Sequence, residues 1–457
     1  MRTDILNFEF STRSTRDIGI VEPVLCYLEM KYSLNIKRFC CRGNFPEIIR
    51  KHNPKMVILA NGIGTKYTVE IVKYCYYKGI KVVTFISEGD CVDMKENVEI
   101  LFWGNNTERI FYENLNLQWS QKNIDYIRKY IDPEKKYNLK LSGGTGFDRY
   151  KFLPLLDKKV FLKKYNLEKY SEVIGLGGFP FYFFLSDMYK KDGQFVNMHL
   201  DPDACIAMAE SKEPLRLIYK KIIINNPDKL FILKYHPMEL YKELSEFHEL
   251  EELPNTISFV KEERIEDIIN VSDLWISFES TTCLEAWLLG KQTFLINPER
   301  SDFPRSKIAD GSPVFKTFED SQKAIDTYFS SGNIPEFQAL ESKREFIIKN
   351  AIDSSDGKNH IRAADFIKEV FDSPQTSAPV DKEGFVNKIV KEYKARYFKK
   401  SIRKNLPFLK LIPAFSHPYL ADRMENLEYN SADRQKFYTT YREALKKFYS
   451  AENIHVN

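Results

Sequence analysis

Three short apolar runs separated by helix-like stretches fill Phe231 to Ile296, and this alternation restricts the fold more than any other feature of the chain. The runs are Phe231 to Lys234, Leu274 to Phe278 and Thr293 to Ile296, each of strand length. Strands that alternate with helices of about ten or more residues need crossover connections, and therefore βαβ units and a mostly parallel sheet. Two of the runs end in polar clusters, Lys234-Tyr235-His236-Pro237 and Glu279-Ser280-Thr281-Thr282. Ligands of open α/β sheets sit outside the carboxyl ends of the strands, so both clusters mark where chemistry is expected.

The same alternation extends along the chain. Met56 to Ala60 reads as a buried strand ending in Asn61-Gly62-Ile63-Gly64, Thr68 to Tyr77 as a helix, and Ile80 to Ile86 as a buried strand followed by Ser87-Glu88-Gly89-Asp90. Glu99 to Trp103 reads as a further strand, and Leu139 to Tyr150 as a last strand with a Gly-rich crossover. A second series begins at Glu172 to Leu176, carries Gly177-Gly178-Phe179 at its end, and passes through a helix at Ser211 to Asn225 into the opening stretch. Ser321 to Phe329 and His360 to Phe371 read as closing helices. The expected class is α/β: two Rossmann-like domains, residues 1–150 and 151–372, facing a cleft, with one large doubly wound sheet as the alternative. Ser373 to Val380, rich in Pro, Ser and Thr, reads as a linker to a tail at 381–457.

With 457 residues, 43% of them hydrophobic, the chain has ample material for two cores. The formal charge of +4 is unevenly placed, because residues 376–457 carry 16 Lys/Arg against 9 Asp/Glu and the remainder is slightly acidic. That distribution, without a reading motif, argues against nucleic acid as a partner. The seven cysteines, Cys26, Cys40, Cys41, Cys75, Cys91, Cys205 and Cys283, show no CxxC spacing and read as reduced core residues rather than a disulfide frame or zinc site. MRTDILNFEF has no long apolar stretch and nothing approaches a membrane span, so the expectation is a cytoplasmic protein.

Lys234 and His236 directly follow an apolar run, so their side chains are expected at the sheet's carboxyl edge, where a Lys charge and a His donor suit a phosphate or carboxylate. Ser280, Thr281 and Thr282 offer hydroxyls and free N–H groups at a helix start, an anion site that doubles as an ordinary N-cap. Glu279 at the same edge suits a ribose or sugar hydroxyl. Glu88 stands after a buried strand beside Gly89, well placed for a general base whose pKa desolvation would raise, with Asp90 as its rival. The glycine pairs Gly62/Gly64 and Gly177/Gly178 would let backbone N–H groups approach acceptor or phosphate, and Arg13 and Arg16 would reach an acidic group.

His236-Pro237 about forty residues before Ser280-Thr281-Thr282, then Leu284-Glu285-Ala286 and Gly290-Lys291 before the next strand, resembles bacterial GT-B glycosyltransferases of surface polysaccharide assembly. The pattern is most similar to the sialyltransferase and Kdo-transferase-like groups that use CMP-activated nonulosonic acids. The resemblance implies that the His-Pro and Ser-Thr segments contact the nucleotide phosphate, and that an acidic-acidic-Gly motif supplies the base. Here that motif is Ser87-Glu88-Gly89, with serine at the first acidic place. Leu141 to Asp148 resembles the Thr-Gly-x-Pro-Arg-x-Asp segment that closes the N-terminal domain in such proteins, without its Pro-Arg. The implied donor is a nucleotide-sugar, bound without metal or other cofactor, and the implied acceptor is a glycan or lipid-linked glycan. UDP-sugar transferases, nucleotide-sugar epimerases, CDP-polyol phosphotransferases and a non-catalytic scaffold remain as alternatives.

In the tail, Lys388 to Lys404 carries eight basic residues against one acidic, interleaved with Ile389, Val390, Tyr393, Tyr397, Phe398 and Ile402, and Leu406 to Phe415 is largely apolar. Residues 388–415 therefore suit an anionic membrane surface, on the inner face of the cytoplasmic membrane, or else pack back on the body.

Overall fold

The computed structural model describes residues 3–12, 16–132, 135, 137–185, 190–191, 194–195, 202–236, 242–300, 306–375, 377–405 and 429–456. Two compact units result, each described by itself below: residues 1–89, 101–153 and 352–457 form the first, and 90–100 with 154–351 the second.

In the first unit, β1 (Ile5–Glu9), α1 (Arg16–Tyr32), β2 (Ile36–Cys40), α2 (Phe45–His52), β3 (Met56–Leu59), α3 (Lys66–Tyr77) and β4 (Lys81–Phe85) alternate regularly. They are followed by α4 (Lys95–Trp103), of which residues 95–100 fall in the second unit, and then by β5 (Leu115–Gln118), α5 (Gln121–Tyr130), β6 (Leu139–Leu141) and α6 (Arg149–Phe152). Among the described residues the strands form one parallel sheet in the order β2-β1-β3-β4-β5-β6. Successive side chains of a strand point to opposite faces, and both faces here are covered. Ile5, Met56, Ile58, Val83 and Leu115 face one core and Leu6, Phe8, Val57, Leu59 and Val82 the other.

The second unit holds α7 (Lys158–Lys164), β7 (Val173–Gly177), α8 (Tyr182–Leu185), a short pairing of β8 (Lys190–Lys191) with β9 (Gln194–Phe195), α9 (Pro202–Asn225), β10 (Leu230–Lys234) and β11 (Thr256–Phe259). It continues with α10 (Ile265–Val271), β12 (Leu274–Ser277), α11 (Thr282–Leu288), β13 (Gln292–Ile296), β14 (Val314–Phe315), α12 (Phe318–Ser331), α13 (Pro335–Gln338) and α14 (Glu341–Ile352). The parallel sheet runs β11-β10-β7-β12-β13-β14 among the described residues, the Rossmann strand order. That order places the topological switch point between β7 and β12. In the first unit it lies between β1 and β3.

Several boundaries differ from the sequence reading. Glu99 to Trp103 is not a strand but the end of α4, because a five-residue apolar run carries no period long enough to separate strand from helix. The second domain does not reach residue 372 as expected, because α15 (Asn359–Asp372) packs on α1 and belongs to the first unit. Asp148 secures it. Its Oδ2 accepts the backbone N–H of His360 at 2.6 Å and lies 2.8 Å from the ring Nδ1, while His360 Nε2 is 2.8 Å from the Tyr449 hydroxyl. The buried Lys81 ammonium donates to the carbonyls of Val370, Phe371 and Ser373, placing a cation at the C-terminus of α15.

The tail is part of the first unit's cores. In α16 (Phe385–Asn405), Ile389 and Tyr393 are buried among residues of α2 and α3, so these two apolar positions are not available to a membrane. Arg434, at the start of α17 (Ser431–Ala451), is 4% exposed and donates to Glu9 at 2.6 Å and to Glu22. Arg38 joins the same cluster through Glu22 at 3.0 Å and Glu29 at 2.8 Å. All seven cysteines are buried and none forms a disulfide. Among the described residues no helix is long and apolar enough to cross a membrane. Pro237 and residues 406–415 lie outside the described residues.

Candidate functional site

At the switch point of the second unit, the end of β7 is pressed against the turn that follows β12. A Cβ added to Gly177 would lie 2.9 Å from both Thr282 Oγ1 and the Trp275 ring, so only glycine permits this approach. The Trp275 indole N–H donates to Thr282 Oγ1 at 3.0 Å, and the Ser280 and Thr282 hydroxyls are 3.0 Å apart. Ser280 Oγ also accepts the Thr282 backbone N–H at 3.3 Å. Thr281 is exposed and makes no side-chain capping bond. Of the three hydroxyls expected together, the structure therefore ties two into a network and leaves Thr281 at the surface.

Gly178 and the residues after β10 meet through their backbones. Gly178 N–H donates to the Lys234 carbonyl at 2.9 Å, and an added Cβ would fall 3.1 Å from the His236 nitrogen. The next N–H, of Phe179, donates to the fully buried Glu246 at 2.7 Å. These N–H groups are thus committed within the fold rather than presented to a phosphate, which corrects the expectation for Gly178. Lys234 is corrected too. It is only 6% exposed and its ammonium donates to the Val260 carbonyl. Burial pushes its pKa down to about 8, although Glu262, Glu266 and Glu285 act in the opposite direction. His236 is half-buried at the edge, after the buried Tyr235.

Glu279 is not a free acceptor. Its side chain is 7% exposed, Asn297 Nδ2 donates to Oε1 at 2.7 Å, and Arg300 stands 3.9 Å away while pairing with Asp310 at 2.9 Å. Asn297, Arg300 and Asp310 were not singled out from the sequence. Asn297 directly follows the third apolar run and had the same strand-end signal as Lys234.

In the first unit, the turns after β3 and β4 are joined by Asn61 Nδ2, which donates to Ser87 Oγ at 2.7 Å, while Asn61 Oδ1 accepts Ile63 N–H at 2.9 Å. A Cβ on Gly62 would lie 2.6 Å from the Thr84 methyl, and one on Gly64 2.9 Å from the Asn61 amide, so both glycines serve close packing. Gly89 is covered by Trp119, 2.3 Å from where its Cβ would be, and Trp119 donates its indole N–H to the Ile86 carbonyl at 2.8 Å. Asn123 donates to the Gly89 carbonyl. The turn that carries Glu88 is therefore firmly held.

Glu88 itself is 68% exposed and ion-paired with Arg16, so the desolvation expected of a general base is absent. Asp90 falls in the second unit and accepts a hydrogen bond from Ser306. Arg13 lies outside the described residues. Among the carboxyls that burial pushes up, with Glu9, Asp17 and Glu70, is Glu113, which the sequence did not mark; its pKa is pushed up to about 7.

No protein-family model and no curated protein matches the sequence. Solved structures do. A structure of S. aureus MnaA with UDP aligns with a TM-score of 0.53 at 10% identity, covering 83% of this chain and 99% of that one. The fold is GT-B. A UDP-N-acetylglucosamine 2-epimerase is similar at TM-score 0.52 and 12% identity, over 83% of this chain and 99% of that one. A variant of the wall teichoic acid polymerase TagF aligns at TM-score 0.50 and 11% identity, over 81% of this chain and 89% of that one. At such identities the likeness concerns the GT-B architecture alone.

Proposed function

We propose that this GT-B chain is a nucleotide-sugar-dependent glycosyltransferase of bacterial surface glycan assembly. The observation that carries the reading is the convergence of Gly177, Ser280 and Thr282 at the β7/β12 switch point, where open α/β sheets take their nucleotides. The donor phosphate is assigned to His236, Ser280, Thr281 and Thr282, and the ribose or sugar to the edge of Glu279. Lys234, enclosed beneath the site, supports the strand end rather than touching the ligand.

The acceptor hydroxyl is assigned to the first unit, with Glu88 as the carboxylate at the turn after β4. Attack of that hydroxyl on the anomeric carbon breaks the bond to the nucleotide phosphate; the proton passes to the carboxylate and the nucleotide departs. Donors fixed around the leaving phosphate stabilise its developing charge. The resemblance in the His-Pro and Ser-Thr segments favours a CMP-linked nonulosonic acid as donor.

Calorimetry with CMP, UMP and UDP tests the site. CMP binding tighter than the others, weakened by His236→Ala, is the expected result; an unchanged affinity in the variant rejects the assignment. Several similar folds are named as epimerases, which favours a second reading, conversion of the nucleotide-sugar itself. Turnover of the donor with no acceptor present would select it.

The outward side of α16 is the surface assigned to an anionic bilayer. Lys388, Lys391 and Lys394 are exposed there and Phe398 is 67% exposed. Charge complementarity supports this partner, at about 1 kcal/mol per basic residue near the surface.

A further inference from the structure

Beneath the turn after β3, the first unit contains a cavity of mixed polar and apolar lining that the assigned donor and base residues do not use. It encloses about 10 Å³, room for roughly one water-sized group, among Gly62, Thr84, Phe102, Glu113, Asn116 and Gln118. A directed series of hydrogen bonds runs along one of its walls. Gln118 Nε2 donates to Asn116 Oδ1, Asn116 Nδ2 donates to Thr84 Oγ1 at 2.9 Å, and Thr84 Oγ1 donates to Glu113 Oε1 at 3.5 Å. Strand register places Thr84 directly beside Asn116. At the head of the series, Gln118 is 1% exposed and its Oε1 has no hydrogen-bond partner. A buried amide oxygen left in this state is destabilising, and a hydroxyl donor would relieve that penalty. At the other end, Gly62 leaves Glu113 Oε1 just 3.3 Å from where a Cβ would sit, so the carboxyl lies directly under the turn.

We propose that this cavity is a hydroxyl-recognition subsite of the first unit, occupied by water in the free protein and by one hydroxyl of a neutral sugar or polyol acceptor on binding. The hydroxyl hydrogen donates to Gln118 Oε1, and the hydroxyl oxygen accepts from Glu113 in its protonated form. The inference rests on the acceptor being held by the first unit and adds the residues that recognise it. The influences on the Glu113 carboxyl are burial, the Glu113 and Tyr112 backbone N–H groups and the Thr84 hydroxyl; no charged side chain among the described residues contributes. Burial leaves it titrating at about 7. Acceptor affinity is therefore full below that value and falls as pH rises through it, because the ionised carboxylate no longer donates.

The test uses the full chain with carboxyl-labelled glutamate, following the Glu113 resonance against pH with and without lactose, maltose or chitobiose. By linkage, a ligand that prefers the protonated form raises the midpoint, and a tenfold preference raises it by about one unit. An upward shift with at least one saccharide, abolished in Gln118→Leu, is expected. Glu113→Gln retains a permanent donor and should bind the same saccharide with a flat pH profile, whereas Glu113→Leu should lose at least tenfold in affinity. No shift with any of the three, or an equal shift in Gln118→Leu, overturns the proposal. CMP calorimetry on the same variants separates the two readings: intact nucleotide binding with no saccharide effect refutes the subsite alone.

Discussion

Asp148 and His360, 212 residues apart, are joined twice through one carboxylate oxygen, to the backbone N–H at 2.6 Å and to the imidazole Nδ1 at 2.8 Å. Both residues are buried, and His360 passes the contact on to Tyr449. Removing the carboxylate strands a backbone N–H and a ring nitrogen together. Asp148→Ala should therefore cost about 3 kcal/mol of stability. Tyr449→Phe, which removes a single hydroxyl, should cost about 1 kcal/mol. Urea midpoints at a common slope check both values.

Lys234 gives stability a pH signature. Burial holds it at about 8 in the folded chain, against roughly 10.4 for an unfolded lysine. Between these values the unfolded chain binds the proton and the folded chain does not, so stability from this group rises with pH; below about 8 both forms are protonated and its contribution is flat. Lys234→Met should then stabilise the protein more at pH 7 than at pH 9.5, by up to about 2 kcal/mol. Equal effects at the two pH values would place the ammonium in water.

Thr282 joins Trp275 to Ser280 through one hydroxyl. Thr282→Ser keeps that atom and should leave nucleotide affinity within a factor of about two, whereas Thr282→Val should weaken it about tenfold, or 1.4 kcal/mol. Calorimetry with CMP measures the ratio. If both variants bind alike, the hydroxyl is only a structural link.

Deleting residues 381–457 is expected to unfold the first unit rather than release a detachable arm. The deletion removes Ile389, Tyr393, Leu445 and Tyr449 from its cores and Arg434 from between Glu9 and Glu22. Each fully buried apolar side chain contributes about 1.5–3 kcal/mol, and an orphaned buried carboxylate costs about 3–5 kcal/mol. The membrane reading is better checked with Lys391→Glu combined with Lys394→Glu. That variant should keep its melting temperature and lose cosedimentation with phosphatidylglycerol vesicles; unaltered cosedimentation would remove the bilayer as partner.

The two parallel sheets were legible because their strands are buried on both faces and stand as apolar runs, as at Met56 to Leu59 and Leu274 to Ser277. β5 and β11 escaped notice. Leu-Asn-Leu-Gln and Thr-Ile-Ser-Phe are short and half polar, with no run to detect. The hydroxyl turn at Ser280 to Thr282 was legible for a similar reason, being local in sequence. Relationships that decide what a polar group does were not. Glu246 holds the N–H of Phe179 from 67 residues away, and nothing near Lys234 in sequence announces that its ammonium ends on the Val260 carbonyl. Glu88 was marked by its position after a strand, but exposure depends on the three-dimensional surroundings of the turn, including Arg16.

The return of residues 352–457 to the first unit has a consequence for how the protein is made. During synthesis the sheet of β1 to β6 emerges early together with α1 to α3, yet α15, α16 and α17, which complete its cover, are made only after the second unit. Until α15 and α17 dock, the apolar face around Ile5, Ile58 and Val83 is covered only in part, by α1, and the carboxylate pair Glu9 and Glu22 lacks Arg434. The second unit, with most of its residues contiguous, is equipped to fold first. Nascent chains paused before Ser431 are then the form most dependent on chaperones.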